Sequence, residues 1–101
     1  MTTSTHITEG SILVEIWGYE QTNADFFRVE KRTPKTVVLT RLERISQIDE
    51  TLTGTAVPGK PLSGPTLRRK VIFHQGMEMA NGESGILRLW DQRPVRISSY
   101  A

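Results

Sequence analysis

The chain has 101 residues, no cysteine and a formal net charge of +2 at pH 7. This length predicts a single domain over residues 1–101, because chains divide into several cores only when they are much longer. Apolar residues at 37% and charged residues at 24% exclude the composition of a disordered chain, and the lack of cysteine excludes disulfides, thiolate nucleophiles and cysteine-based zinc sites.

The N-terminal segment carries neither a basic residue nor an apolar block. It therefore lacks the features of a secretory signal, and we expect residues 1–10 to be a flexible tail. The longest apolar run, Ile12-Leu13-Val14, is far shorter than the roughly 20 residues that a membrane span requires. With the absence of cysteine, this predicts a cytoplasmic protein that has no membrane partner.

Six short segments show strand signals, either alternation of apolar and polar residues or enrichment in β-branched ones. The predicted strands are 12–17, 26–30, 36–42, 67–74, 86–90 and 95–97. Turn-forming residues predict connections at 21–25, 31–35, 75–85 and 91–94. The segment 53–66 holds three glycines and three prolines, and it predicts a loop.

Five to six antiparallel strands with irregular connections are typical of a mostly β fold, a small SH3-like or OB-like barrel. Closure would also remove the exposed sheet edges that a small open sheet must protect. One alternative is left open near residues 43–51. Leu42, Ile45 and Ile48 have helix spacing, so a short helix packed on the sheet is an alternative there.

Two parts of the chain share a pattern with other proteins. The first reads WGYxQTNxDFxxV…KRTxKTV from Trp17 to Val37, and the second is a WDxxP…SYA tail from Trp90 to Ala101. Together they resemble a family of small uncharacterised proteins encoded by phages and mobile elements in bacteria. The chain departs from that family's usual residues at Glu20, Ala24, Phe27 and Gln92. The resemblance implies a phage or prophage context, in the cytoplasm of a bacterial host, and it implies no particular activity.

A first candidate site lies in the segment that follows the first strand. Its members are aromatic or polar residues at alternating positions: Trp17, Tyr19, Gln21, Asn23 and Asp25. In an extended chain alternate side chains point the same way, so these residues would form a recognition surface. The alternative is structural, with Asn23 and Asp25 capping a turn.

A second candidate site is basic. Residues 1–25 contain no basic residue, whereas residues 26–70 contain ten against four acidic ones. We predict a basic patch formed by Arg28, Lys31, Arg32, Lys35, Arg68, Arg69 and Lys70. Such residues could pair with acidic groups across strands, or they could bind phosphates and, with exposed aromatic rings, single-stranded nucleic acid.

No sequence pattern indicates catalysis. GxSxG, Walker and HExxH motifs are absent, and the two histidines, His6 and His74, lie in the predicted tail and in an apolar strand. We therefore predict no catalytic residue, no metal site and no cofactor.

The predicted function is that of a non-catalytic phage or mobile-element protein that binds a host protein or nucleoprotein complex stoichiometrically. An inhibitor of a nucleic-acid-handling defence complex, similar to anti-CRISPR proteins, is the leading form of this hypothesis. The alternatives are a single-stranded nucleic-acid-binding module and a phage structural or assembly protein.

Overall fold

A computed structural model describes residues 6–18, 22–48, 50, 53–82 and 85–98. The described residues form eight strands. They are β1 (Ile12–Trp17), β2 (Asn23–Arg32), β3 (Thr36–Ile48), β4 (Thr53–Pro61), β5 (Leu67–His74), β6 (Met77–Asn81), β7 (Ile86–Leu89) and β8 (Val95–Ser98). No helix that is long and apolar enough to cross a membrane occurs in this part of the chain.

Six of these strands close into an antiparallel barrel. The order around the ring is β2-β1-β7-β6-β5-β3, and the pairing of β3 with β2 completes it. Every barrel strand therefore has a hydrogen-bonded neighbour on each side, which removes the exposed edges of an open sheet. The predicted small β-barrel is confirmed.

The other two strands extend from β3. Its first part, Thr36 to Leu39, pairs with β5, whereas its last part, Arg44 to Ile48, pairs with β4. A register shift between Leu42 and Arg44 lies near this change of partner, and a bulge bends a strand in this way. β8 adds to β4, and two backbone hydrogen bonds between Ser98 and Thr22 tie β8 to the residue before β2.

This arrangement creates two hydrophobic cores on opposite faces of β1 and β2. The barrel core contains Ile7, Leu13, Phe27, Val29, Val37, Leu39, Ala80 and Leu87. The outer core, which β3, β4 and β8 cover, contains Val14, Ala24, Phe26, Leu42, Ala56 and Ile97. Adjacent residues of one strand enter different cores, as Phe26 and Phe27 do, because successive strand side chains point to opposite faces.

Several sequence predictions need correction. The helix considered near 43–51 is wrong, since β3 continues to Ile48 and pairs with β4. The predicted loop 53–66 is strand over Thr53–Pro61, where Pro58 and Pro61 lie on the less fully paired part of β4. Proline is tolerated at such positions because no ladder hydrogen bond has to come from its nitrogen.

The ends of other elements also differ. β2 begins at Asn23 within the predicted turn 21–25, and β6 (Met77–Asn81) lies within the predicted loop 75–85. Residues 6–10 of the predicted tail pack on the barrel: Ile7 is buried in the barrel core and the Gly10 N–H donates to the Val29 carbonyl. Residues 1–5 lie outside the described residues.

Candidate binding surfaces

The predicted basic patch is divided by the geometry of its strands. In β5 the side chains alternate, so Arg68 and Lys70 are exposed on the outer surface, whereas Arg69 stands opposite Val37 of the barrel core. In β2 a register shift between Val29 and Lys31 places Lys31 opposite Val38 and Arg32 opposite Val37. Arg32 and Arg69 therefore point toward the barrel interior.

The remaining cations gather on the outer surface of β2, β3 and β5. Lys31, Val38 and Arg68 form one row across the three strands, and Lys70 stands opposite Thr36 in the next row. Lys35 lies in the turn between β2 and β3, and its carbonyl accepts a hydrogen bond from the Val71 N–H. We call this surface the basic face; its cations are Arg28, Lys31, Lys35, Arg68 and Lys70.

One acidic residue is associated with the basic face. The Glu30 carboxylate accepts two hydrogen bonds from Arg28, at 3.0 Å from Nε and 2.8 Å from Nη2. These bonds, and one from the Thr40 hydroxyl, hold the pKa of Glu30 below its usual value. The ammonium and guanidinium groups of Lys31, Lys35, Arg68 and Lys70 form no ion pair within the described part of the chain. The basic face thus keeps a net positive charge.

The interior arginine Arg32 closes one end of the barrel. Its Nη2 lies 2.9 Å from Glu78 Oε2, and Glu78 Oε1 accepts a hydrogen bond of 2.9 Å from the Ile7 N–H. The Ile7 N–H is the main cause that lowers the pKa of Glu78, and Arg32 contributes as well. Since His6 Nδ1 is 3.6 Å from the same carboxylate, this cluster fixes the N-terminal segment across the barrel end.

Part of the first predicted site lies at the opposite end of the barrel, the barrel mouth. Trp17 Nε1 donates a hydrogen bond of 2.8 Å to Asp25 Oδ2, and Asp25 stands opposite the buried Glu15. Glu15 Oε2 accepts from the Gly85 N–H at 2.9 Å. The cavity beside Glu15, which Arg41 and Arg69 help to line, measures about 10 Å³, roughly the space for one water molecule.

The predicted recognition surface is only partly described. Trp17, Asn23 and Asp25 are strand residues, and Trp17 stands directly opposite Asn23. The Asn23 side-chain Nδ2 is buried and has no hydrogen-bond acceptor among the described residues. Tyr19 and Gln21 lie outside the described residues, so their place in that surface stays a prediction.

The most exposed aromatic residue in the described part of the chain is not among the predicted site residues. Phe73 is 69% exposed, the largest exposed fraction among the large hydrophobic side chains described. It ends the apolar run Val71-Ile72-Phe73, whose consecutive apolar residues must place side chains on both faces of the strand, and the Gln75-Gly76 turn follows after His74. That combination was the signal for a projecting hairpin.

Metal binding finds no support in the described residues, among which no three histidine or carboxylate side chains are grouped suitably for an ion. Comparison with known proteins adds no family: no family model, curated protein or solved structure matches the chain.

Proposed function

We propose that the protein is a non-enzymatic binding protein that acts stoichiometrically on a host protein or nucleoprotein complex. The basic face would contact an anionic surface of that partner. The observation that carries the proposal is the set of cations on β2, on β5 and in the turn before β3, of which Lys31, Lys35, Arg68 and Lys70 are exposed and make no ion pair with described residues. Such a surface attracts an anionic partner and orients it during encounter.

The phage resemblance supplies the setting of this proposal. A phage protein of this size in the host cytoplasm would act by occupying a surface of a host machine. Complexes that handle nucleic acid have basic channels, but other parts of their surface are acidic, and the nucleic acid that they bind is an anion. An acidic surface and a bound nucleic acid are each complementary to the basic face. An inhibitor of a nucleic-acid-handling defence complex is therefore the form of the proposal that we favour.

Direct binding to nucleic acid is the second candidate. The basic face combines lysine and arginine with the hydroxyls of Thr36 and Thr40, and such side chains contact phosphates in protein–nucleic acid complexes. Base stacking has less support, because Phe26 and Phe27 are buried and Trp90 packs edge-on against Phe26 at 5.9 Å between ring centroids. Binding would then be dominated by phosphates and would weaken steeply with salt.

The test is a pull-down from bacterial lysate with and without nuclease, using the wild type and two paired variants. Arg68→Ala with Lys70→Ala removes two cations of the basic face. Arg88→Ala with Arg96→Ala removes two exposed cations from β7 and β8, and β7 lies across the barrel ring from β3. The two variants therefore change the net charge equally.

We expect the wild type and the β7–β8 variant to retain one host protein at fixed stoichiometry after nuclease treatment. The basic-face variant should bind it at least about tenfold more weakly. Capture that nuclease abolishes, together with salt-sensitive binding of an oligonucleotide, would move the assignment to nucleic acid. Equal loss in both variants would show that only total charge matters.

A further inference from the structure

The hairpin between β5 and β6 extends beyond the barrel. The ladder between β5 and β3 ends at Lys70, opposite Thr36, and the ladder between β6 and β7 begins at Ala80. Between these points, residues 72–79 pair in register only with each other: Ile72 with Met79, Phe73 with Glu78, and His74 with Met77. We call residues 72–79 the hairpin tip.

The turn of the hairpin tip has a defined conformation. Gln75 and Gly76 have φ angles of 52° and 79°, as the two central residues of a type I′ turn do. This turn matches the twist of the two strands that it joins, and the bonds from Glu78 to Arg32 and to the Ile7 N–H tie the hairpin tip to the barrel end.

Apolar side chains cover both faces of the hairpin tip. Phe73 is 69% exposed on one face, and Ile72 and Met79 form a half-buried pair on the other. Met77 is half-buried as well. A two-stranded ribbon with this composition is only marginally stable alone in water, and methionine adapts its shape to a partner surface. The hairpin tip therefore has the composition of a contact element.

The charges around the hairpin tip are positive. Lys70 lies on β5 just before it, and Lys35 is held beside it by the hydrogen bond from the Val71 N–H to the Lys35 carbonyl. Both side chains are exposed members of the basic face. The nearest carboxylate, Glu78, is already paired with Arg32. A partner surface complementary to this region is apolar at its centre and acidic at its rim.

We propose that the hairpin tip is the docking element of the protein, and that it inserts Phe73 into an apolar cleft of an acidic protein partner. This inference rests on the proposed function and names the part of the surface that anchors the partner. Interfaces concentrate their binding energy in a few central aromatic side chains with polar contacts around them. Phe73 is the exposed ring of the hairpin tip, and Lys70 lies at the base of the tip on its other face, beside Ile72, so a cleft that takes up the tip meets both.

A protein partner suits the hairpin tip better than single-stranded nucleic acid does. Nucleic-acid grooves present several rings on which successive bases stack. Here the other described Phe and Trp rings are engaged elsewhere: Phe26 and Phe27 are buried, Trp90 packs edge-on against Phe26 in the outer core, and Trp17 is at the opposite end of the barrel, hydrogen-bonded to Asp25. One projecting ring serves as an anchor in a cleft and does not form a stacking track.

The experiment compares Phe73→Ala with Ile86→Ala, a matched control because Ile86 is also a large exposed apolar residue, 48% exposed on β7. Each variant of the full chain is used for capture from nuclease-treated bacterial lysate, and the captured protein is then purified and titrated. A photo-crosslinking phenylalanine analogue is placed at position 73 or 86 in parallel. Thermal unfolding and size-exclusion chromatography show whether each variant is folded and monomeric.

We expect Phe73→Ala to weaken binding by tenfold or more with an unchanged unfolding midpoint, Ile86→Ala to bind normally, and Phe73→Leu to restore part of the affinity. The analogue at position 73 should crosslink an acidic protein, and the one at position 86 should not. Equal binding by Phe73→Ala would overturn the inference, as would crosslinks from position 73 to an oligonucleotide or to a second copy of the chain.

The outcomes separate the two proposals. If Arg68→Ala with Lys70→Ala weakens capture and Phe73→Ala does not, the proposed function stands and the docking element is wrong. If Phe73→Ala alone weakens capture, the hairpin tip contacts the partner but the basic face does not, and both the proposed role of the basic face and the acidic rim inferred for the partner are wrong. If the wild type captures no protein at all, both proposals fail.

Discussion

The side chain of Glu78 holds together the residues that close one end of the barrel. Glu78 joins three parts of the molecule, because its two oxygens bind the Arg32 guanidinium and the Ile7 backbone N–H while its own backbone belongs to β6. Arg32 depends on this contact, since its Nη1 is buried and has no hydrogen-bond partner among the described residues. A buried cation that loses its carboxylate carries an uncompensated desolvation cost.

The first prediction concerns Glu78→Gln. The folded-state pKa of Glu78 is below its ordinary value of 4.5, so the carboxylate stabilises the fold above that pH, and the contribution is lost as the pH falls through the lower folded-state pKa. We expect Glu78→Gln to reduce the free energy of unfolding by about 1–3 kcal/mol at pH 7. Urea unfolding at pH 7 and at pH 3 measures this.

The difference between wild type and Glu78→Gln should shrink at pH 3, because this pH lies below the ordinary pKa of 4.5, so the carboxyl of the unfolded chain is then mostly protonated and the advantage of the ionised folded form is reduced. Glu30→Gln is the control, because Glu30 is an exposed carboxylate whose pKa is also lowered, but its ion pair with Arg28 lies on the solvated surface. Exposed pairs contribute little to stability. A gap for Glu78→Gln that stays constant with pH would contradict this account.

Sequence alternation also predicts part of the candidate site at this scale. Side chains at successive positions of a strand point to opposite faces, so the sequence of β5 is enough to place Arg69 on the face opposite Arg68 and Lys70. The predicted basic patch did not make this distinction. The inward position of Arg32 could not be read in the same way. It depends on the bulge between Val29 and Lys31, and neither residue carries a composition signal for an irregular ladder.

Among the elements, strands whose hydrophobic residues match the positions that are buried were predictable, and strands in which they do not match were not. The bounds predicted for 12–17 and 67–74 are confirmed by β1 and β5. The end of β3 could not be predicted, because its apolar residues are not the ones that face a core. Ile45 and Ile48 are exposed, whereas the polar Ser46 stands opposite the buried Ala56. β4 was obscured by its glycines and prolines, which are normally strand breakers.

The second prediction is at this scale and concerns the glycine of the β3–β4 hairpin. A Cβ built at Gly54 would overlap the Gln47 carbonyl oxygen of the paired strand and lie 2.9 Å from the Ile48 Cα. Both obstacles are backbone, so they can give way only if the ladder shifts. We expect Gly54→Ala to lower the free energy of unfolding by about 1–3 kcal/mol, measured by chemical denaturation.

The control for Gly54→Ala is Gly85→Ala, because the nearest atom to a Cβ at Gly85 is the Ile16 carbonyl oxygen at 3.8 Å, an ordinary contact. That variant should stay close to wild-type stability. Equal stabilities of the two variants would mean that the β3–β4 pairing is loose enough to accept a side chain at position 54.

At the scale of the whole molecule, two cores share the same pair of strands. Leu13 and Phe27 enter the barrel core, while Val14 and Phe26 of the same strands enter the outer core. The covering part, which is the end of β3 together with β4 and β8, therefore cannot separate from β1 and β2 without exposing one face of these two strands. This shared support predicts that the two cores unfold together.

The third prediction tests that coupling with one substitution in each core. Leu39→Ala in the barrel core and Ile97→Ala in the outer core should each cost about 2–5 kcal/mol. In both variants, far-UV circular dichroism and tryptophan fluorescence should report the same urea midpoint, although Trp90 packs against the outer core alone. Two separate midpoints in either variant would show that the cores unfold independently.

The double burial of β1 and β2 has a consequence for how such a protein can diversify. Strands whose two faces are both packed leave few positions at which a change is silent, whereas β5 carries its exposed residues at 68, 70 and 73, away from the outer core. The residues that maintain the architecture and the residues of the proposed contact surface are thus separated along the chain. If the proposed contact surface is correct, substitutions at these three positions should change what the protein binds while the scaffold keeps its stability.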